Sequence, residues 1–130
     1  MLSVTKKGGE TNLNTQRTPD QIPSEILEDQ DRVIFTTRHA EAWDWAREKG
    51  LEQAVFSKRI PWNLIREGTI VCGILPVKLV AKVCERGARY FHLSIHAPPE
   101  KRGADLLPHE MDEYDARLEE FHVTQIREGA

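Results

Sequence analysis

Arg38 and His39 stand side by side after a short β-branched run, Arg32 to Thr36, and just before a run with helical spacing that begins near Ala40. The pair joins a permanent, bidentate phosphate donor to the one side chain that titrates near neutrality. Its position adds to that chemistry. Where a strand ends and a helix begins, free backbone amides and a partial positive charge already favour an anion. Two other segments offer groups of the same kind. The Leu75-Pro76 corner follows the longest apolar run, and Ala97 to Gly103, APPEKRG, carries Glu100, Lys101 and Arg102 ahead of Gly103. Binding a phosphate and moving a proton beside it is the chemistry these residues could do together.

The elements that must position them are read outward from Gly68 to Leu93. Thr69 to Leu75 is a continuous apolar run without alternation, which suits a strand covered on both faces at the centre of a parallel sheet. Pro76 then opens a helix in which Leu79, Val80, Val83 and Cys84 repeat at helical spacing until Gly87 supplies a left-handed cap. Phe91, Leu93 and Ile95 follow at period two, within a strand from Tyr90 to His96. A strand that returns parallel through a helix crosses right-handed, so Pro76 and the residues after Ile95 share one edge of the sheet, the edge where ligands bind. If the strands at 32–36, 69–75 and 90–96 are parallel, Thr37-Arg38-His39, the Leu75-Pro76 corner and the Glu100-Lys101-Arg102 loop meet at one crevice.

The rest of the chain fills in around this unit. A helix from about Ala40 to Lys49 stops at Gly50, with Ala42, Trp45 and Ala46 turned to the core and Trp43 pointing elsewhere, where exposure would mark an interface. A weaker strand spans Gln53 to Arg59, and a short helical segment follows Pro61, with Trp62 and Leu64 as packing residues. Pro108 to Tyr114 reads as a short acidic helix. Arg117 to Gln125 reads as a polar edge strand with Phe121 and Val123 inward. Residues 1–31 are polar with scattered apolar positions and read as a disordered N-terminal arm, apart from a helical turn at Pro23 to Glu28 that would pack Ile26 and Leu27. A single domain then covers 32–126.

Composition narrows the function. At 130 residues the chain has one compact core, no apolar stretch of about 20 residues, and no apolar core of a signal peptide, so a soluble, cytoplasmic protein without membrane contact is expected. Charge is segregated. Lys plus Arg stand 3 against 6 Asp plus Glu in residues 1–31, 13 against 7 in 32–104, and 2 against 8 in 105–130, so the middle of the chain is basic between acidic flanks. A local basic field gathers phosphate-bearing ligands even on an acidic protein. Cys72 and Cys84 read as reduced core residues. Neither G-x-G-x-x-G after the first strand nor G-x-x-x-x-G-K-[ST] occurs, which removes the motifs of dinucleotide binding and P-loop hydrolysis. Of the five histidines only His92 and His96 fall close together, and on a strand they share a face without converging, so no metal ligands are assigned. His92 reads as a hydrogen-bonded histidine under a helix.

Beyond these derivations, the sequence resembles a family. Thr37-Arg38-His39 with Ala42 and Trp45, then Gly73-x-Leu75-Pro76, Arg86-Gly87-Ala88-x-Tyr90-x-His92-Leu93, Glu100-x-Arg102-Gly103 and Ala116-Arg117-Leu118-Glu119-x-Phe121 resemble the small CRISPR-associated proteins encoded beside type III systems, a Csx-type family linked to ring nuclease activity. The likeness spans roughly 32–123, and it departs at Glu41 and Asp115, where the family pattern has glycine, and in the extra arm. It implies an α/β fold with a small Rossmann-like (CARF-like) open, mostly parallel sheet flanked by helices. It also implies cleavage of cyclic oligoadenylate, the tetra-adenylate ring above all, and hence an end to type III signalling. No cofactor is required, because the substrate's own 2′-hydroxyl is the nucleophile. In that reading Arg38 binds the reacting phosphate and His39 acts as base or acid. Lys78, Lys101 and Arg102 hold the other phosphates, with Thr37, Pro76, Glu100 and Gly103 lining the site. A homodimer is expected, because the ring is wider than one crevice, and no long nucleic acid is expected as a partner. The alternatives are a non-catalytic module that binds or sequesters cyclic oligonucleotides, and an interaction protein using Trp43 and the acidic tail.

Overall fold

Residues 70–73, Ile-Val-Cys-Gly, form the strand around which the sheet is built, and all four are buried. The structure, a computed structural model, describes residues 3–7 and 20–127. In chain order the elements are β1 (Ser3–Lys7), α1 (Ser24–Glu28), β2 (Val33–Thr36), α2 (Ala40–Glu48), β3 (Val55–Ser57), β4 (Ile70–Gly73), α3 (Val77–Glu85), β5 (Arg89–Ser94), α4 (Pro108–Glu113) and β6 (Arg117–Thr124), with short 3₁₀ turns between them. The six strands lie in the order β1-β6-β5-β4-β2-β3. β3, β2, β4 and β5 are mutually parallel, and β6 and β1 are added antiparallel. This is an open, mostly parallel sheet flanked by helices, compatible with a Rossmann-like fold.

Alternation along the buried strands divides the interior into two cores. Val33, Phe35, Ile70, Cys72, Phe91 and Leu93 face α2 and α4, where Trp45 is wholly buried. Ile34, Val71, Tyr90 and Val123 face α3, which contributes Val80, Ala81, Val83 and Cys84. Glycines end both crossover helices as the sequence predicts, with Gly50 at φ +103 and Gly87 at φ +81. Pro76 caps α3 from outside rather than opening it. Leu64, read as a packing residue, is exposed, whereas Trp62 packs on the α3-side core beneath the Arg86 guanidinium, 5.1 Å from its ring.

Two further expectations are corrected. β6 is not an edge strand, because β1 covers its far side. Its polarity is met across the strands: Arg89 of β5 donates to both oxygens of Glu120, at 2.7 and 2.8 Å, and Glu119 lies opposite His92. Nor are residues 1–31 wholly a loose arm. Ile22 and Ile26 sit in the α2-side core, Leu118 donates to the Gln21 carbonyl at 2.8 Å, and Gln30 bonds the backbone at Leu27, Gly50, Glu52 and Gln53. Residues 1–2 and 8–19 of that expectation lie outside the described residues.

Asp112 is the hub that joins this N-terminal segment to α2 and α4. It accepts from Gln21 Nε2 at 2.9 Å, Trp45 Nε1 at 3.0 Å and Lys49 Nζ at 3.0 Å. Burial pushes its carboxyl up, but the Gln21, Lys49 and Trp45 donors outweigh that and hold it below the usual range.

Candidate functional site

The strand order creates a crevice at one edge. From β2 the chain passes through α2 to β3 on one side, and from β4 it passes through α3 to β5 on the other. α2 and α3 pack on opposite faces, so the connections diverge beyond the adjacent C-terminal ends of β2 and β4. Such a topological switch point is where open α/β sheets bind ligands. Thr37-Arg38-His39 leaves β2 there, and Ile74-Leu75-Pro76 leaves β4. The exits can approach only because residue 73 is glycine: a Cβ on Gly73 would lie 2.1 Å from the Thr36 carbonyl oxygen.

The β4 corner is pinned from beneath. The Tyr90 hydroxyl accepts from the Leu75 amide at 3.0 Å, lies 3.0 Å from the Gly73 carbonyl oxygen, and lies 2.7 Å from His92 Nδ1. Burial pushes the Tyr90 hydroxyl up, so it stays protonated, and burial lowers the His92 imidazole against the opposing pull of Glu119. His92 is therefore a hydrogen-bonded histidine on the α3 face, as its alternation predicts.

Across the crevice, Thr37 is buried and donates its amide to the Ser57 carbonyl at 3.1 Å. Its hydroxyl accepts the His39 amide at 3.2 Å, which sets the turn into α2, with His39 at the N-cap. His39 Nδ1 lies 2.5 Å from Asp105 Oδ1, and the His39 side chain is 46% exposed. A carboxylate on Nδ1 fixes the ring and leaves Nε2 to exchange a proton with whatever enters the crevice. Arg38 beside it is exposed, with no hydrogen bond or ion pair among the described residues. Its guanidinium is available to an anion.

The loop after β5 reaches this corner, but through a residue that sequence reasoning did not single out. Asp105, not Glu100, Lys101 or Arg102, touches His39. Lys101 is tied to Glu110 of α4 at 3.3 Å, and Glu100, Arg102 and Gly103 are exposed, with no hydrogen bond or ion pair to Arg38 or His39 among the described residues. Pro76 and Lys78 are exposed at the start of α3 on the β4 side. Two further exposed cations, Lys58 and Arg59, follow β3 on the same edge, and their place after the run Val55–Ser57 was the signal that could have found them. Sequence reading also dismissed metal ligands by weighing histidines alone, whereas His39, Glu41 and Asp105 bring one ligand atom each within 4.8 Å of one another. A groove of about 420 Å³ lies at the opposite edge, lined by Asp31, Arg32, Arg66 and Glu67 among others, away from these groups.

Residues 34–124 match the family model described as "Putative CRISPR-associated protein (Cas_VVA1548)". The chain belongs to this family. The matched span opens inside β2 and closes at the end of β6, so the family's shared part holds both walls of the crevice, the Asp105 loop and the Tyr90 pin. No curated protein and no solved structure matches the chain. Among the described residues no helix is long and apolar enough to cross a membrane.

Proposed function

We propose that this CRISPR-associated protein is a ring nuclease that opens cyclic oligoadenylate, the tetra-adenylate ring above all, and so switches off type III signalling. The observation that carries the reading is His39, bonded to Asp105 on Nδ1 and standing beside unpaired Arg38 at the mouth of the switch-point crevice. In a cyclic oligoadenylate each phosphate has a ribose hydroxyl beside it. Arg38 holds the phosphate, His39 Nε2 takes the 2′-hydroxyl proton, and the oxygen attacks the neighbouring phosphorus. The 5′-oxygen leaves with a proton supplied by solvent water, which recovers one from protonated His39, giving a linear product that ends in a 2′,3′-cyclic phosphate. Because the nucleophile comes from the substrate, the reaction needs no metal-bound water. Lys58, Arg59, Lys78 and Arg102 are exposed on the same edge and supply a basic field for the remaining phosphates.

The ring is wider than this crevice, and Ile74 and Val77, 45% and 52% exposed at its rim, offer apolar surface to a second copy. The active form is therefore a homodimer, and a fully active monomer in light scattering would remove that part. Turnover separates the proposal from sequestration. A binding module shifts labelled ring in a gel and returns it intact, whereas the nuclease returns linear oligoadenylate.

A further inference from the structure

His39, Glu41 and Asp105 are a mixed nitrogen and oxygen donor set drawn from two places 66 residues apart, the start of α2 and the loop after β5. Their ligand atoms lie within 4.8 Å of one another. In a tetrahedral site with bonds near 2.1 Å, neighbouring ligand atoms stand roughly 3.4 Å apart, so a small rotation of these side chains, His39 and Asp105 exposed and Glu41 half-buried, gathers the set around one ion. The charges around the cluster point the same way. Among the described residues neither Glu41 nor Asp105 has a lysine or arginine partner, and the hydrogen bond of the Asp105 side chain is to the His39 ring. Two carboxylates thus converge with only an imidazole between them. One imidazole and two carboxylates suit zinc or another first-row divalent ion better than calcium or magnesium, and three protein ligands leave a coordination position open toward the crevice. Among the described residues this is the one group of three such side chains that comes together.

We propose that His39, Glu41 and Asp105 form a zinc-class divalent metal site, and that the ion takes the Nδ1 position which Asp105 otherwise holds. The metal site itself does not depend on the ring nuclease reading. Its consequence does rest on that reading: a metal on Nδ1 leaves Nε2 bearing the proton, so loaded His39 cannot act as the base, and the ion inhibits rather than assists.

The experiment measures binding first, without nucleotide. Zinc chloride is titrated calorimetrically into the full chain, cobalt absorption reports the geometry, and Glu41→Gln, Asp105→Asn and His39→Ala are compared with His122→Ala, an exposed histidine on β6. One ion per chain is expected. Each of the three cluster variants should weaken it at least about tenfold, and His122→Ala should leave it unchanged. Zinc should also raise the melting temperature of the wild type and not of the cluster variants. Wild-type affinity no higher than that of Glu41→Gln and Asp105→Asn, both melting normally, would overturn the proposal, as would loss of binding in His122→Ala. If the wild type also opens the ring, zinc should slow opening and a chelator should restore it. Zinc binding without any ring opening would leave the metal site standing and remove only the nuclease reading.

Discussion

Replacing Gly73 by alanine probes the crevice through its narrowest contact. The added Cβ would lie 2.1 Å from the Thr36 carbonyl oxygen and 3.2 Å from its carbon. A comfortable carbon–oxygen approach is about 3.3 Å, so the two strand exits must part by roughly 1.2 Å. The obstacle is backbone, which cannot rotate away, and Thr36↔Gly73 is the last pair of the β2–β4 ladder. Overpacking of this kind costs about 1–3 kcal/mol, and the rigid neighbour places Gly73→Ala near the upper figure. At roughly 4 °C per kcal/mol for a domain of this size, the melting temperature should fall by about 12 °C. Gly50→Ala is the matched control. Its Cβ would meet Leu27 Cδ2 at an ordinary 3.7 Å, so only the left-handed φ of +103 is penalised, at about 1–2 kcal/mol. Differential scanning calorimetry of both variants measures the contrast, and ring-opening assays below the melting range should show turnover falling by about 10² in Gly73→Ala alone, because it separates Arg38 and His39 from the β4 corner. If Gly73→Ala melts no lower than Gly50→Ala, the close approach of the two exits is not a constraint and the argument for the crevice's shape fails.

Ile26→Ala should destabilise the fold by about 2–4 kcal/mol in urea unfolding, because Ile26 is wholly buried in the α2-side core; a change below about 0.5 kcal/mol would mean that residues 20–31 do not belong to the domain. Asp112→Ala should cost about 1–3 kcal/mol at pH 7, since it strands the indole N–H of buried Trp45. Because the Asp112 carboxyl is held below its ordinary 3.8, its stabilisation is complete above that value and fades as pH falls through the lowered one. The melting gap between wild type and Asp112→Ala should therefore shrink below about pH 4, and a gap constant from neutral pH to pH 2.5 would refute the hub. Arg38→Ala should weaken ring binding and slow cleavage together, whereas His39→Ala should slow single turnover by about 10²–10⁴ with affinity retained. Wild-type turnover in folded His39→Ala would end its role as acid or base.

What could be read from the sequence was whatever carried its own punctuation. β4, α3 and β5 were visible because an unbroken apolar run, a proline, a helical stripe and a glycine follow one another without ambiguity, and β2, β4 and β5 pair parallel as that pattern predicts. β6 misled because polarity was taken for exposure, when Glu120 is instead satisfied by Arg89 across the sheet. The turn at Pro23 to Glu28 and its packing of Ile26 and Leu27 were legible, but α1 is five residues long, too short to show a stripe, and the burial of Ile22 ahead of it had no periodic signature. Asp105 could not be found at all: its contact with His39 depends on the path of a loop over α2, and nothing in the loop's composition encodes that path. One departure from the resemblance acquires a physical meaning. Asp115, where the resemblance leads one to expect glycine, adopts φ +58, a left-handed conformation that glycine enters without strain and aspartate tolerates better than most side chains.

The central claim is turnover of a cyclic oligoadenylate at the Arg38-His39 corner. Purified full-length protein, incubated with radiolabelled cyclic tetra-adenylate in the presence of EDTA and resolved by thin-layer chromatography, should release linear oligoadenylate ending in a 2′,3′-cyclic phosphate, and His39→Ala should leave the ring closed over the same period. Ring recovered intact from the wild-type reaction at protein in excess of substrate, or products whose formation requires an added divalent ion, would contradict it.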